Sequence, residues 1–350
     1  MQYRRVGQSG LYVSVISLGS WYTLGTAVDE AESLRIIRTA YDAGINCFDT
    51  ANVYTREWGS GAGDVEKLLG RALRELPRSS YVIVDKLGGR MGSTPNEIGR
   101  GGKYLKEQCE ASLRRLGMDY LDLCLCHRPM PGEPIEDTVL AMEDLARQGK
   151  ILYWGVSNWA PWRIVKAQGL ARERHYRPMV AVESRYNLLF RFPELELFPA
   201  TEEEGVGHLV YSPLAQGMLT GKYAPGQPPP PDSRAADDHF GKYMRRLYYS
   251  EENKQRTTQL ARLAAEHGLS AGELAIAWTL RHPRVSTAII GARTVEQVKQ
   301  NVRAADVRLP PAVEMALDQL FPVRRDLWLR EGEIPDLQGG TADDERTPHA

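Results

Sequence analysis

The sequence predicts a single (β/α)8 barrel of the TIM type, with long loops at the C-terminal face of its strands. Three observations predict it. Eight short runs rich in Val, Ile and Leu recur along 350 residues, and such continuously apolar runs suit parallel strands covered on both faces. Helical amphipathic stretches alternate with them, as a strand–helix repeat requires. The rival, an open doubly wound sheet, predicts a G-x-G-x-x-G after an early strand, and the chain has none.

In order, the strands are expected at 13–18, 45–48, 81–84, 121–125, 152–156, 179–182, 207–210 and 287–290. Between the first two, residues 30–43 place Ala31, Leu34, Ile37, Ala40 and Tyr41 near one face, and Gly44 stops the helix. Stretches 65–73, 105–116, 135–147, 162–170 and 295–304 follow the same pattern. Gly117, Gly149 and Gly169 stand where left-handed caps are expected after three of them. Two regions break the rhythm: the glycine-rich 87–103, which lacks a G-x-x-x-x-G-K-[ST] phosphate loop, and the long 212–252 with four prolines at 228–231. Long loops after strand ends are read as functional lids on the catalytic face. The barrel domain is expected over 1–323, with a charged surface tail over 324–350.

Composition narrows the function classes. With 44 basic and 45 acidic residues, no strong field draws nucleic acid or an anionic membrane. No apolar stretch approaches the roughly 20 residues a bilayer span needs, and the N-terminus lacks a secretory pattern. The four cysteines, Cys47, Cys109, Cys124 and Cys126, are too sparse for a disulfide framework and read as free thiols in a reducing cytoplasm. Cys124-Leu-Cys126-His127 is one residue short of a haem attachment spacing, no second pair completes a zinc site, and no metal is expected.

Four ionisable residues follow consecutive strand candidates: Asp49, Tyr54, Lys86 and His127. Each alone has an ordinary reading as a turn, packing or solvated residue. Together, at neighbouring strand ends of a barrel, they converge on one mouth. Carbonyl reduction needs a hydride donor and a proton donor. A phenol with a pKa near 10 is a poor acid–base at neutral pH, and a nearby ammonium is expected to lower that value. Asp49 would hold Lys86 charged, and the His127 imidazole would polarise the substrate oxygen.

The sequence resembles the aldo-keto reductases. The resemblance lies in Gly44-Ile-Asn-Cys-Phe-Asp-Thr-Ala-Asn-Val-Tyr54, Val84-Asp-Lys86, Asp122-Leu-Cys-Leu-Cys-His127-Arg-Pro129, Trp154-Gly-Val-Ser-Asn158, Tyr211-Ser-Pro-Leu-Ala-Gln-Gly217, Gly221-Lys-Tyr223 and Ile290-Gly-Ala-Arg-Thr294. These occur in the family's order over roughly residues 3–320. Within the family it looks closest to the branch with potassium-channel β subunits and bacterial methylglyoxal or glyceraldehyde reductases. The resemblance implies a nicotinamide-dependent reductase of aldehydes or ketones with Asp49, Tyr54, Lys86 and His127 as catalytic residues. Channel β subunits commonly carry Asn at the last position, so His127 favours the enzyme over a nucleotide-binding redox sensor.

The resemblance also implies the cofactor contacts. Ser157 and Asn158 would meet the nicotinamide carboxamide and Tyr211 the ring face. Ser212, Leu214, Gln216 and Lys222 would line the pyrophosphate path, with Arg234 folded over it. Gly291, Arg293, Thr294, Gln297 and Asn301 would surround the adenosine phosphate at a helix start, where Arg293 favours NADPH over NADH by pairing with a 2′-phosphate. Ser20 and Trp21 lie near the cofactor end of the mouth, and Trp21, Trp58 and Arg128 are expected against a small carbonyl substrate. Glu183 departs from the family, which usually has Gln there; an ionised Glu only accepts hydrogen bonds. A homo-oligomer is left open by the many helix faces of a barrel.

Overall fold

The computed structural model describes residues 1–54, 63–99, 101–129, 132–238 and 241–324. Eight parallel strands close into a barrel in chain order. They are β1 (Ile16–Gly19), β2 (Cys47–Ala51), β3 (Val82–Leu87), β4 (Leu121–Cys126), β5 (Ile151–Ser157), β6 (Ala181–Arg185), β7 (Gly207–Tyr211) and β8 (Val285–Ile290). Around them run α1 (Glu30–Asp42), α2 (Asp64–Leu73), α3 (Gly102–Leu116), α4 (Ile135–Arg147), α5 (Pro161–Glu173), α6 (Leu197–Glu203), α7 (Gly241–Tyr248), α8 (Glu251–Glu266), α9 (Ala271–Leu280), α10 (Val295–Arg303) and α11 (Pro311–Leu320). All eight expected strands are present.

Alternation along each strand divides the core in two. Ile16, Phe48, Ile83, Cys124 and Val156 face outward to the helices and form the larger apolar cluster. Cys47, Val82, Val84, Leu123, Leu125, Ala181, Leu209 and Ile289 fill the barrel interior. One register step further toward the C-terminal ends, the same inward rows carry Asp49, Lys86, Glu183 and Tyr211. The polar site is therefore the uppermost layer of an otherwise apolar barrel filling.

The lower end is closed by a hairpin of Tyr3–Arg5 with Tyr12–Ser14, whose Val6 and Val13 join the interior cluster. Gly7, at φ +56°, approaches so closely that a Cβ at Gly207 would lie 2.2 Å from the Gly7 nitrogen. The expected first strand, 13–18, is thus two strands. Ser14 marks the break: its Oγ accepts from the Asn46 backbone N–H, and its own N–H donates to Asn46 Oδ1. A run buried on both sides of the break hides it from periodicity.

Two further expectations change. Gly117 and Gly149 have positive φ (67° and 71°) as cap positions should, but Gly169 lies inside α5, which runs on to Glu173. The 212–252 region is no plain loop: it holds helical turns at Ala215–Thr220 and Arg234–Ala236 and then α7. Trp58 and the tail beyond residue 324 lie outside the described residues. All four cysteines are buried and outside any disulfide, and among the described residues no helix is long and apolar enough to cross a membrane.

Candidate active site

Asp49, Lys86 and Glu183 meet because their strands place them in the same inward layer. Lys86 Nζ donates to Asp49 Oδ2 and, at 3.2 Å, to Glu183 Oε2. All three side chains are nearly inaccessible, with 1–4% exposure, so water does little to screen them. Burial works against the Lys86 ammonium, but Asp49 and Glu183 outweigh it and hold its pKa well above the ordinary lysine value. The carboxyl groups show the other side of this. Burial raises Asp49 against the opposing pull of Lys86. Burial and the Asp49 charge push Glu183 up to about 8. Two acids sharing one cation in a dry site retain a proton more readily than either would alone.

Tyr54 and His127 complete the group. Lys86 Nζ lies 5.4 Å from the centre of the Tyr54 ring. The Tyr54 and His127 rings meet edge to face, with centroids 5.9 Å apart at 79°. Backbone bonds fix the two loops: Tyr54 N–H donates to Ala51 O at 3.1 Å and His127 N–H to Leu87 O at 2.9 Å. The four residues expected from the sequence are therefore gathered at one mouth. The expected pull of Lys86 on the Tyr54 phenol is present, but it does not set the net direction. Burial raises the phenol pKa above 10, and Lys86 and Arg128 only partly oppose it, while Asp49 and Glu183 add to the rise. Lysine proximity was the visible part of the balance; loss of water is larger.

Along the mouth, Tyr211 OH donates to Asn158 Oδ1 at 2.8 Å. Asn158 Nδ2 reaches Ser157 Oγ at 3.0 Å, and the Asn158 N–H donates to Glu183 O at 3.0 Å. Arg185, two residues past Glu183, turns to Tyr243 OH at 2.5 Å and over the Phe190 ring. Past β7 the backbone is unusual. Ser212, Ala215 and Gln216 have φ of 55°, 46° and 56°, and Asn158 and Tyr22 are also left-handed. Non-glycine residues held there cost free energy and concentrate at ligand clamps.

Three cations lie close to one another beyond the mouth. Arg234 stacks 3.8 Å from the Tyr22 ring centre and 5.3 Å from that of Trp21. Loss of water pulls its pKa down to about 10. Burial, then Arg234 and Arg293, lowers Lys222, whose ammonium is near Gly217. Arg293 Nη1 donates to Asp232 O at 2.8 Å, tying the 230s segment to the start of α10. Gln297 Oε1 accepts from Arg293 N–H at 2.8 Å, and Thr294 Oγ1 from Gln297 N–H at 3.2 Å. Gly291 packs by Thr23, and Asn301 is buried on α10. Mutual repulsion among cations, left-handed backbone, and the buried Ser20 Oγ, Gln216 Oε1 and Ser233 Oγ without hydrogen-bond partners together make a set of groups whose chemistry would suit a polyanionic nucleotide.

Leu214 and Ser212 sit in that segment, and Ser20 N–H donates to Asp49 O at 3.0 Å. Arg128 is half-buried beside His127. Sequence reasoning missed Tyr22, whose OH donates to Asp237 Oδ2 at 2.8 Å and fastens the 230s segment across the mouth. It also missed Asn52, which bridges Tyr104 OH and the Gly88 N–H behind Lys86. Nothing local marks Tyr22. Asn52 sits in the Asp49–Tyr54 segment and was within reach.

The sequence matches the model of the aldo/keto reductase family over residues 15–321. Among curated proteins it is similar to a probable voltage-gated potassium channel subunit beta of Arabidopsis thaliana, 38% identical over 326 residues, covering 92% of this chain and 96% of that protein. The corresponding protein of Oryza sativa subsp. japonica gives the same identity and coverage. A putative voltage-gated potassium channel subunit beta of Schizosaccharomyces pombe is 37% identical over 328 residues, with 91% and 93% covered.

Proposed function

Since the chain belongs to the aldo/keto reductase family and is thereby an NAD(P)H-dependent oxidoreductase, we propose that it reduces aldehydes or ketones to alcohols with NADPH, Tyr54 being the general acid. One observation carries this reading: the ion-paired Lys86 beside Tyr54, with the His127 ring packed edge to face against the phenol. The dihydronicotinamide supplies hydride to the carbonyl carbon when bound. The chain's own part is to hold the carbonyl oxygen and deliver a proton to it.

A raised phenol pKa suits that part, because Tyr54 stays protonated until negative charge develops on the substrate oxygen. Lys86, fully charged, then stabilises the phenolate left behind, and His127 adds a hydrogen bond to the same oxygen. Asp49 positions Lys86. Ser157, Asn158 and Tyr211 would orient the nicotinamide, and Lys222, Arg234 and Arg293 would hold its phosphates. Arg293 at the start of α10 supports NADPH over NADH, since a 2′-phosphate gains a charge-assisted bond there. Trp21 and Arg128 would border a small carbonyl substrate.

Tyr54→Phe tests the assignment. Turnover of methylglyoxal or 4-nitrobenzaldehyde should fall by about 10²–10⁴-fold with NADPH affinity unchanged; full turnover would remove Tyr54 from its role. Parallel NADPH and NADH titrations test the cofactor. Arg293→Ala should weaken NADPH by roughly tenfold, the worth of one charge-assisted contact, and leave NADH alone. The relatives' names favour a second reading, a nucleotide-binding regulatory subunit. A stable complex with a membrane partner and turnover insensitive to Tyr54→Phe would select it.

A further inference from the structure

Glu183 has no task in the reaction just described, yet it is built into its centre. It is 3.2 Å from Lys86 Nζ and 3% exposed. Among the described residues, the titratable groups around it are Asp49 and Cys47 on β2, Lys86 on β3 and Tyr54 at the mouth, with Tyr211 in the same inward layer on β7. Its partners across the strands, Ser157 on β5 and Leu209 on β7, carry no charge. Arg185 reaches the Tyr243 hydroxyl and lies over the Phe190 ring. Two carboxyls thus face one ammonium. With both ionised, the layer carries one net negative charge; with one proton bound, it is neutral.

A nicotinamide changes its own charge by one unit in the reaction: the reduced ring is neutral and the oxidised ring is a cation. We propose that Glu183 is a proton-linked counter-charge for the nicotinamide, a neutral acid beside the reduced ring and a carboxylate beside the oxidised one. This rests on the proposed placing of the nicotinamide against Ser157 and Asn158, which adjoin Glu183: Ser157 is its strand partner and the Asn158 N–H donates to its carbonyl. No bond other than O–H is made or broken at Glu183: oxidation of the ring, or binding of the oxidised nucleotide, releases its proton to solvent, and the reverse takes one up. Burial and Asp49 already hold this proton up to about pH 8, so the exchange falls in an accessible range. Linkage fixes the sign. As pH rises, the oxidised nucleotide binds more tightly relative to the reduced one.

The test is calorimetric titration of the full chain with NADP⁺ and NADPH from pH 6.5 to 9.5, in buffers of different ionisation enthalpy. The ratio of NADPH to NADP⁺ dissociation constants should rise by up to about tenfold per pH unit below the Glu183 transition and level off above it. At pH 7, NADP⁺ binding should release close to one proton more than NADPH binding does. The 2′-phosphate, common to both nucleotides, cancels in the ratio. In Glu183→Gln, which is isosteric and keeps His127, the ratio should be flat. A pH-independent ratio in the parent protein, or the same slope in Glu183→Gln, overturns the counter-charge role and leaves the cofactor reading standing. Failure of both nucleotides to bind at every pH overturns both.

Discussion

Two buried charge clusters occupy opposite faces of β3. Inward, Lys86 joins Asp49 and Glu183. Outward, one residue earlier, Asp85 faces Glu66 of α2 and Arg115 of α3. Each has two acids and one cation, and in each the acids are nearly inaccessible. They differ in how well their groups are satisfied and in what they touch. In the inner cluster the lysine binds both acids and stands next to Tyr54. In the outer one, Arg115 Nε holds Glu66 Oε2 at 2.5 Å, while both Asp85 oxygens and Glu66 Oε1 lack hydrogen bonds of ordinary geometry. Burial, and then the Glu66 charge, raises the Asp85 pKa well above its usual value. A perturbed acid is thus no mark of catalysis by itself; what separates the clusters is which side of the strand opens to the mouth.

Removing the two cations should split activity from stability. Lys86→Met is expected to lower turnover by about 10²–10³-fold, the scale for losing a charge that stabilises the reacting oxygen. Arg115→Met should leave turnover within about twofold but destabilise the fold by about 3–5 kcal/mol, because Glu66 stays buried without its partner. Denaturant melts and steady-state rates on both variants read this directly, and an inactive, stably folded Arg115→Met would collapse the distinction. A smaller effect is expected at Asp85. Its folded pKa is raised, so the folded chain holds a proton that the unfolded chain loses near the ordinary aspartate value. Stability therefore falls as pH climbs from that value through the folded one. Asp85→Asn should remove this slope and raise the melting midpoint at pH 8 by roughly 2–4 °C, or about 1 kcal/mol. A melting curve unchanged between pH 5 and 8 in the parent protein would contradict it.

The inner cluster was legible because its residues end strands whose apolar runs are unmistakable, and because a barrel brings successive strand ends together. Asp85 adjoins Lys86 in the sequence, yet its partners come from α2 and α3 through strand register and helix packing that no single segment reveals. The N-terminal hairpin was hidden in one apolar run. Helix α7 was hidden because its Lys242, Arg245 and Arg246 leave too narrow an apolar stripe. Tyr54 shows a different limit. Its charged neighbours were readable as residue types, but the larger influence, loss of water, exists only once the surrounding layers are packed.

The hairpin stitched beneath the strands turns the barrel interior into a cul-de-sac. Val6 and Val13 close the far end with hydrocarbon, so neither water nor ions have a back door to the lysine layer. Every proton that Glu183 trades with the bulk must travel by way of the mouth, and whatever molecule lies across that opening governs how fast the trade occurs.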